Sequence, residues 1–152
     1  MGRCRDRQGQ KPRWEDVLKK TIAGIAALMM LGLTAPGQAE IRLGATISET
    51  GPAAYLGDPE AKTLKLLIDE INAAGGINGE KITLFIYDDG GDANKARTFA
   101  TRLVEDDKVQ AIIGGTTTGA TMSVIPIVEE AKIPFISLAG AIEIVDPVKT
   151  WV

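Results

Sequence analysis

Residues 110–141 read QAIIGGTTTGATMSVIPIVEEAKIPFISLAGA, and this stretch decides the fold. The segment at its start, which begins one residue earlier and covers 109–113, is short and almost wholly apolar, as expected of a parallel strand that is covered on both faces. Two glycines and three threonines follow, and a helical pattern begins near Gly119. Residues 135–138 repeat the apolar pattern and lead into a second loop of small residues. This order predicts two neighbouring parallel strands joined by a helix.

The loop before this helix offers unpaired backbone N–H groups. The first N–H groups of a helix have no partner inside the helix, so here they point back into residues 114–118. Such a place suits a carboxylate or a phosphate. In open α/β sheets, ligands bind in the crevice beyond the carboxyl ends of the strands. The sequence therefore predicts a ligand site at this loop.

Strands and helices also alternate before this stretch. The predicted elements are a strand at 41–47, a helix capped by Asp58 with Pro59 in its first turn and Gly75 and Gly76 at its end, a strand at 81–87, and a helix capped by Asp92. Pro126 lies well inside the third helix and predicts a kink or a one-turn break. A fourth helical pattern in 142–152 is interrupted by Pro147. The alternation predicts a doubly wound parallel α/β sheet of Rossmann-like type.

Acidic and basic residues are divided unevenly along the 152-residue chain. Residues 1–39 hold seven Lys and Arg and three Asp and Glu; subtraction from the 17 basic and 20 acidic residues of the chain leaves ten and seventeen for residues 40–152. An acidic body without a basic cluster argues against nucleic acid and anionic membrane surfaces as partners. The chain has no histidine, which removes the commonest general base and zinc ligand.

Residues 1–39 have the features of a cleavable secretory signal peptide. Lys19 and Lys20 supply the positive end, residues 22–33 supply an apolar run of about 12, and residues 37–39 supply the small-x-small cleavage pattern. The alternative is an uncleaved membrane anchor, but a membrane-spanning helix needs about 20 apolar residues. We therefore expect a periplasmic product.

Residues 114–121 nearly match a phosphate-binding P-loop. That motif needs a lysine directly after its second glycine, because the lysine neutralises the phosphates of a nucleotide. Ala120 occupies that position, so we predict a cradle for one small anion and no nucleotide site. The alternative is a strand-to-helix turn that binds nothing.

Asp88 and Asp89 follow the second predicted strand and could indicate a magnesium or phospho-acceptor site. A receiver-type site would need an acidic residue at the end of the next parallel strand, where Gly114 stands. We therefore interpret the pair as a solvated turn with an Asx-type hydrogen bond. Ser137 and the threonines would need a neighbouring base to act as nucleophiles, and the sequence offers none. We expect no enzyme activity, no cofactor and no metal.

Two stretches, GATISETGPAAYLGDPEAKTLKLLIDEINAAGGINGEKITLFIYDD and AIIGGTTTGATMSVIPIVEEAKIPFIS, resemble the first lobe of a type I periplasmic binding protein. They are most similar to the leucine/isoleucine/valine-type substrate-binding proteins of ABC transporters. The resemblance covers essentially all of residues 40–152, and it implies a two-lobed clamp that traps a small solute and delivers it to a membrane permease. It also implies that residues 40–152 are the N-terminal lobe and that the second lobe is missing, either because the sequence is a fragment or because of a frameshift.

The resemblance implies the ligand contacts as well. They are side chains near Tyr55 and Leu56 in the entrance loop before the first helix, hydroxyl and N–H groups of Thr117 and Thr118, and backbone groups of Ala139, Gly140 and Ala141. Thr117 and Thr118 occupy the positions at which members of the family bind the carboxylate of the ligand. Amino-acid binders carry a hydroxyl residue at the position of Ala141, which helps to hold the ligand's ammonium group, and an aromatic ring at that of Leu56. Because this sequence differs from the amino-acid binders at both positions, other small acids, aromatic or aliphatic, are also candidate ligands.

The function implied is the substrate-binding component of an ABC importer for a branched-chain amino acid or a similar small carboxylate. The alternative is an extracytoplasmic ligand-sensing receptor domain of the same fold. An enzyme of flavodoxin-like fold is disfavoured by the absent phosphate lysine and catalytic base. Because a lone lobe leaves most of the ligand in water, we expect it to bind weakly or not at all.

Overall fold

The computed structural model describes residues 40–152, so the predicted signal peptide lies outside the described residues. The elements in that range are β1 (Ile41–Ile47), α1 (Ala54–Ala73), β2 (Ile82–Asp88), α2 (Ala93–Glu105), β3 (Ala111–Gly114), α3 (Thr118–Ala131), β4 (Phe135–Ser137) and a 3₁₀ turn at Ile142–Ile144. Within residues 40–152, no helix has both the length and the apolar composition that a membrane span requires.

The described strands form one parallel sheet in the order β2–β1–β3–β4. At one edge of the sheet, Ile47 lies opposite Asp88, Thr46 lies opposite Gly114, and Gly114 lies opposite Ser137. The carboxyl ends of the strands therefore meet at the same edge. Together with helices on both faces, this topology confirms the predicted doubly wound parallel α/β sheet.

Helices can cover both faces because side chains alternate along each strand. On one face, Ala45 and Ile47 of β1 pack with Ala61 of α1. On the other face, the absent side chain of Gly44 leaves room for Leu103 of α2, whose methyl carbons lie 3.0 Å from where a Cβ would stand. The larger core lies on this second face; its buried members are Ala96, Ala100, Leu103, Val109, Ile112, Ala120, Val124, Ile125, Val128, Phe135 and Ile144.

Asp92 caps α2 as predicted. Its Oδ1 accepts hydrogen bonds from the N–H groups of Asn94 at 2.7 Å and Lys95 at 3.1 Å. These two donors satisfy first-turn N–H groups that the helix itself leaves unpaired. The N–H groups of Lys95 and Asn94 also lower the pKa of the Asp92 carboxyl from its ordinary value.

The start of α1 differs from the prediction. The helix begins at Ala54, so Asp58 is not its cap and Pro59 lies inside it. The Ala53 carbonyl accepts the first helical bonds, from the N–H groups of Leu56 and Gly57. Helix geometry can start earlier because Gly57 has no side chain to collide with the carbonyl of Ser48. The proline then removes a single helical bond, because it has no N–H to donate.

The later part of the chain also differs from the prediction. α3 is a single helix from Thr118 to Ala131, so the predicted break at Pro126 is wrong. Pro126 lies on the exposed side of this helix. The helical pattern in 142–152 produces only the 3₁₀ turn, followed by irregular chain. There, the carbonyl of Trp151 accepts a hydrogen bond from the N–H of Phe135 at 2.7 Å.

Candidate functional site

Two loops meet at the carboxyl edge of the sheet, one between β3 and α3 and one after β4. They are tied together because the N–H of Leu138 donates to the carbonyl of Gly114 at 3.0 Å. Gly115 turns the first loop with a φ of +68°, and a Cβ at this position would lie 2.0 Å from Thr121 Oγ1. Glycine is therefore required by both the backbone conformation and the available space.

The first turn of α3 presents unpaired donors at this edge. Thr117 caps the helix, and its Oγ1 accepts from the N–H of Ala120 at 3.2 Å. Among residues 40–152, nothing accepts a hydrogen bond from the N–H groups of Thr117, Thr118 or Gly119. Thr118 is exposed, so its hydroxyl is accessible as well. With the positive end of the helix dipole behind them, these groups can hold a small anion.

The second loop adds donors beside the first. Ser137 Oγ shapes it by accepting from the N–H of Ala139 at 3.1 Å and donating to the carbonyl of the same residue at 3.2 Å. Within the described chain, the N–H groups of Gly140 and Ala141 have no acceptor. Gly140 is exposed and Ala141 is half-buried. The loop can therefore contribute two backbone donors.

Tyr55 and Leu56 lie on the first turn of α1 and not in a loop, which corrects the prediction for these two residues. Both are exposed, Tyr55 by 77% and Leu56 by 44%. They line a cavity of about 410 Å³ together with Leu138, the first residue of the second loop. The structure thus brings these side chains next to the two loops, whereas Ala139, Gly140 and Ala141 line a separate cavity of about 450 Å³.

A buried chain of hydrogen bonds supports the first loop. Thr116 Oγ1 accepts from the N–H of Ser48 at 3.0 Å and donates to Glu60 Oε2 at 2.6 Å. Ser48 Oγ donates to Asp89 Oδ1 at 2.6 Å, and the N–H of Gly91 donates to the same oxygen at 2.8 Å. These groups connect α1 with the ends of β1, β2 and β3. This series of hydrogen bonds was not predicted, because no local sequence pattern marks it.

The interpretation of Asp88 and Asp89 as a solvated turn is wrong for Asp89, which is fully buried. Its predicted Asx-type hydrogen bond is present, because Asp89 Oδ1 accepts from the N–H of Gly91. Asp88 makes the same kind of bond with the N–H of Gly90 at 3.0 Å. Asp89 turns inward, where its Oδ1 accepts the hydroxyl of the fully buried Ser48.

Asp88 joins the β1–α1 loop to the end of β2. Its carboxylate accepts from the hydroxyl of Thr50 at 2.6 Å, the N–H of Thr50 at 3.1 Å and the N–H of Gly90. Partial burial raises the pKa of the Asp88 carboxyl, but the bonds from Thr50 and Gly90 outweigh burial, and the net pKa is lower than its ordinary value.

This lowered pKa predicts a loss of stability in acid. A carboxyl with a depressed pKa in the folded state stabilises the fold above its unfolded pKa of about 4, and this contribution disappears as the pH falls through the folded value. We expect the free energy of unfolding to fall more steeply below about pH 4 in the wild type than in Asp88→Asn, whose side chain cannot ionise. Urea titrations at several pH values measure both profiles. Identical slopes would contradict the assignment.

Two hydroxyls beside the site, those of Thr121 and Ser137, have structural partners. Thr121 Oγ1 donates to the carbonyl of Gly115 at 2.9 Å, and Ser137 bonds to Ala139. Ala120, which stands where a P-loop has its lysine, is a buried residue of the first turn of α3. Among residues 40–152, no group of three or more Asp, Glu, Cys or His is arranged to hold a metal ion. The arrangement is suited to holding a ligand by backbone donors.

Comparison with known proteins gives a consistent result. The family model described as "Periplasmic binding protein" matches residues 40–152. The Leu/Ile/Val-binding protein homolog 7 of Brucella melitensis is 35% identical over 130 residues, which are 85% of this chain and 32% of that protein. The chain therefore spans about a third of the length of the relatives that it matches.

Two solved structures share the fold. The branched-chain amino acid transporter substrate binding protein LivJ from Streptococcus pneumoniae, in complex with isoleucine, is 34% identical with a TM-score of 0.69, over 72% of this chain and 32% of that chain. A solute binding protein of an ABC transporter from Rhodopseudomonas palustris, in complex with 3,4-dihydroxybenzoic acid, is 27% identical with a TM-score of 0.66, over 72% and 30%.

Proposed function

The chain belongs to the periplasmic binding protein family, and we propose that its residues 40–152 act as the N-terminal lobe of a protein that captures a small carboxylate-bearing solute. A branched-chain amino acid is the class that the relatives favour, since one is named a Leu/Ile/Val-binding protein homologue and a similar structure holds isoleucine. Isoleucine and 3,4-dihydroxybenzoic acid share a carboxylate, which is the group that the unpaired N–H groups of α3 suit.

The observation that carries this proposal is the set of free donors at the carboxyl edge of the sheet. In the proposed site, Thr117 and Thr118 bind the ligand carboxylate through N–H groups and the Thr118 hydroxyl. Backbone groups of Ala139, Gly140 and Ala141 supply the second contact. Tyr55 and Leu56 form an apolar wall that packs against the rest of the ligand.

Proteins of the family to which the chain belongs are extracytoplasmic, and residues 1–39 are proposed to be a signal peptide that directs this protein to the periplasm.

The proposed partner is the permease of an ABC transporter, because a solute-binding protein delivers its ligand to a membrane component. The family is one of solute-binding proteins. We propose that this chain, like the family, binds its ligand without catalysing a reaction.

A lobe with an open site binds its ligand weakly. Thr118 and Gly140 are exposed, so a ligand held here by residues 40–152 keeps much of its surface in water. We expect the 152-residue chain to bind isoleucine with a dissociation constant of about 1 mM or weaker. Burial by a second set of residues would add the remaining affinity.

The test compares Thr118→Val with the wild type. Valine has the shape of threonine without its hydroxyl, so we expect the affinity for isoleucine to fall about five-fold while the free energy of unfolding stays the same. Thr98→Val is the matched control, since Thr98 is also exposed but lies on α2. Ligand-observed NMR titrations with isoleucine and with 3,4-dihydroxybenzoate measure the affinities. Equal affinities of Thr118→Val and the wild type for both compounds would count against the proposed site.

A further inference from the structure

One charged side chain faces the apolar cavity beside the proposed site. This cavity, of about 410 Å³, is lined by Tyr55, Leu56, Pro59, Glu60, Thr63, Leu64, Ile113 and Leu138. Its volume is in the range of small-molecule sites, which are mostly apolar with a few placed polar groups. Glu60 is the only ionisable acid or base in this lining apart from the phenol of Tyr55. A cavity of this kind attracts an apolar molecule that carries a positive charge.

Glu60 has no cationic partner in the described part of the chain. The ion pairs found in residues 40–152 join Arg42 to Glu40, Lys62 to Asp58, and Lys65 to Glu49. Although Lys62 is on the same helix, its ammonium lies 2.7 Å from Asp58 Oδ2. The negative charge of Glu60 is therefore uncompensated by any neighbouring Lys or Arg.

The Glu60 carboxylate is held in place and keeps one oxygen available. Thr116 Oγ1 already accepts the N–H of Ser48, so its proton goes to Glu60 Oε2, at 2.6 Å. Among residues 40–152, no group donates to Oε1. Glu60 is half-buried, so water screens this charge less than it would on an open surface.

The position of Glu60 affects which anions the neighbouring loop can accept. Glu60 is bonded to Thr116, which directly precedes the donors of Thr117 and Thr118. A ligand that carries only a carboxylate is attracted by those donors but repelled by Glu60. A ligand with both a carboxylate and an ammonium group gains from both, provided that the ammonium lies on the side of Glu60.

We propose that Glu60 recognises the ammonium group of the ligand and makes the site selective for apolar zwitterions, that is, apolar α-amino acids, over simple carboxylic acids. In this arrangement the carboxylate lies on the α3 donors, the ammonium lies by Glu60 Oε1, and the apolar side chain lies against Leu56 and Leu138. Glu60 supplies the ammonium contact that Ala141, which has no hydroxyl, cannot give. This inference rests on the proposed function of the same site.

The test uses three probes of nearly the same shape: isoleucine, 3-methylpentanoate, which has no ammonium group, and 2-methylbutylamine, which has no carboxylate. Protein-observed NMR titrations of the 152-residue chain to about 50 mM give dissociation constants for each. We expect isoleucine to bind at least five-fold more tightly than 3-methylpentanoate.

The variant is Glu60→Gln, whose amide oxygen can still accept the Thr116 hydroxyl. We expect this variant to lower the affinity for isoleucine and 2-methylbutylamine about five- to tenfold. The affinity for 3-methylpentanoate should stay the same or rise. Glu70→Gln is the matched control, because Glu70 is an exposed glutamate on the same helix, outside the cavity lining. It should behave as the wild type with all three probes.

The outcomes distinguish a failure of the inference on Glu60 from a failure of the proposed function. If Glu60 serves only to hold Thr116, Glu60→Gln will leave the ratio of isoleucine to 3-methylpentanoate affinities unchanged, and the inference is overturned while the carboxylate site stands. The same conclusion follows if both compounds bind the wild type equally. If no probe shifts the amide signals of Thr117 and Thr118, the proposed function fails and the inference fails with it.

Discussion

Replacing Gly57 with alanine is expected to destabilise the fold by about 3 kcal/mol or more. A Cβ at this position would lie 2.1 Å from the carbonyl oxygen of Ser48 and 2.4 Å from its carbonyl carbon. Both are backbone atoms of the segment that follows β1, so no side chain can rotate away. Relief requires α1 to move away from the sheet, which breaks the contact of Ala61 with Ala45.

Gly119→Ala is the matched control for this prediction. Gly119 is also a helical glycine, on the first turn of α3, but outside its own turn no atom lies within 4 Å of where a Cβ would stand. Because alanine favours the helix by up to about 1 kcal/mol over glycine, this variant should be neutral or slightly more stable. Urea denaturation followed by far-ultraviolet circular dichroism measures both. Equal stabilities of the two variants would show that the close packing of α1 against Ser48 is absent.

Replacing Asp89 with alanine should be the most damaging change of a polar residue near the site. It removes the acceptor of the Ser48 hydroxyl and of the Gly91 N–H, and Ser48 is fully buried. Two donors without partners in this setting cost about 3 kcal/mol in total. The ends of β1 and β2 would then no longer be joined through side chains at this point.

Asp89→Asn separates the loss of the acceptor from the loss of charge. Its amide oxygen can keep both hydrogen bonds, so we expect it to cost less than half as much as Asp89→Ala. A double-mutant cycle with Ser48→Ala measures the coupling directly, with an expected interaction of about 1 to 2 kcal/mol. If the two substitutions are additive, Ser48 and Asp89 do not share the bond that the structure describes.

The parts of the fold that could be predicted are those that local sequence determines. The bounds of β1 follow from its apolar residues, and the cap of α2 follows from Asp92. The start of α1 could not be predicted, because Asp58 and Pro59 have the local pattern of a helix start, whereas Gly57 acts through its contact with Ser48. Single-sequence patterns carry no information on such a tertiary contact.

The candidate site could likewise be predicted only where local sequence determines it. The donors of Thr117 and Thr118 could be predicted from the turn between β3 and α3, although their role as ligand contacts stays a prediction. The supporting hydrogen bonds could not be predicted, because they join residues that are far apart in sequence. Glu60 bonds to Thr116, 56 positions away, and Asp89 bonds to Ser48, 41 positions away. The sequence pattern predicted a solvent-exposed Asp89, because this residue follows a strand and precedes two glycines.

The proposed carboxylate site is best tested by a titration of the ¹⁵N-labelled 152-residue chain with isoleucine, followed by backbone amide NMR. We expect the largest shifts of amide signals at Thr117, Thr118 and Gly119, with smaller ones at Gly140 and Ala141. If those signals do not shift while signals elsewhere do, for example in the groove between α1 and β2 that is lined by Lys65 and Asn72, the proposed site is wrong.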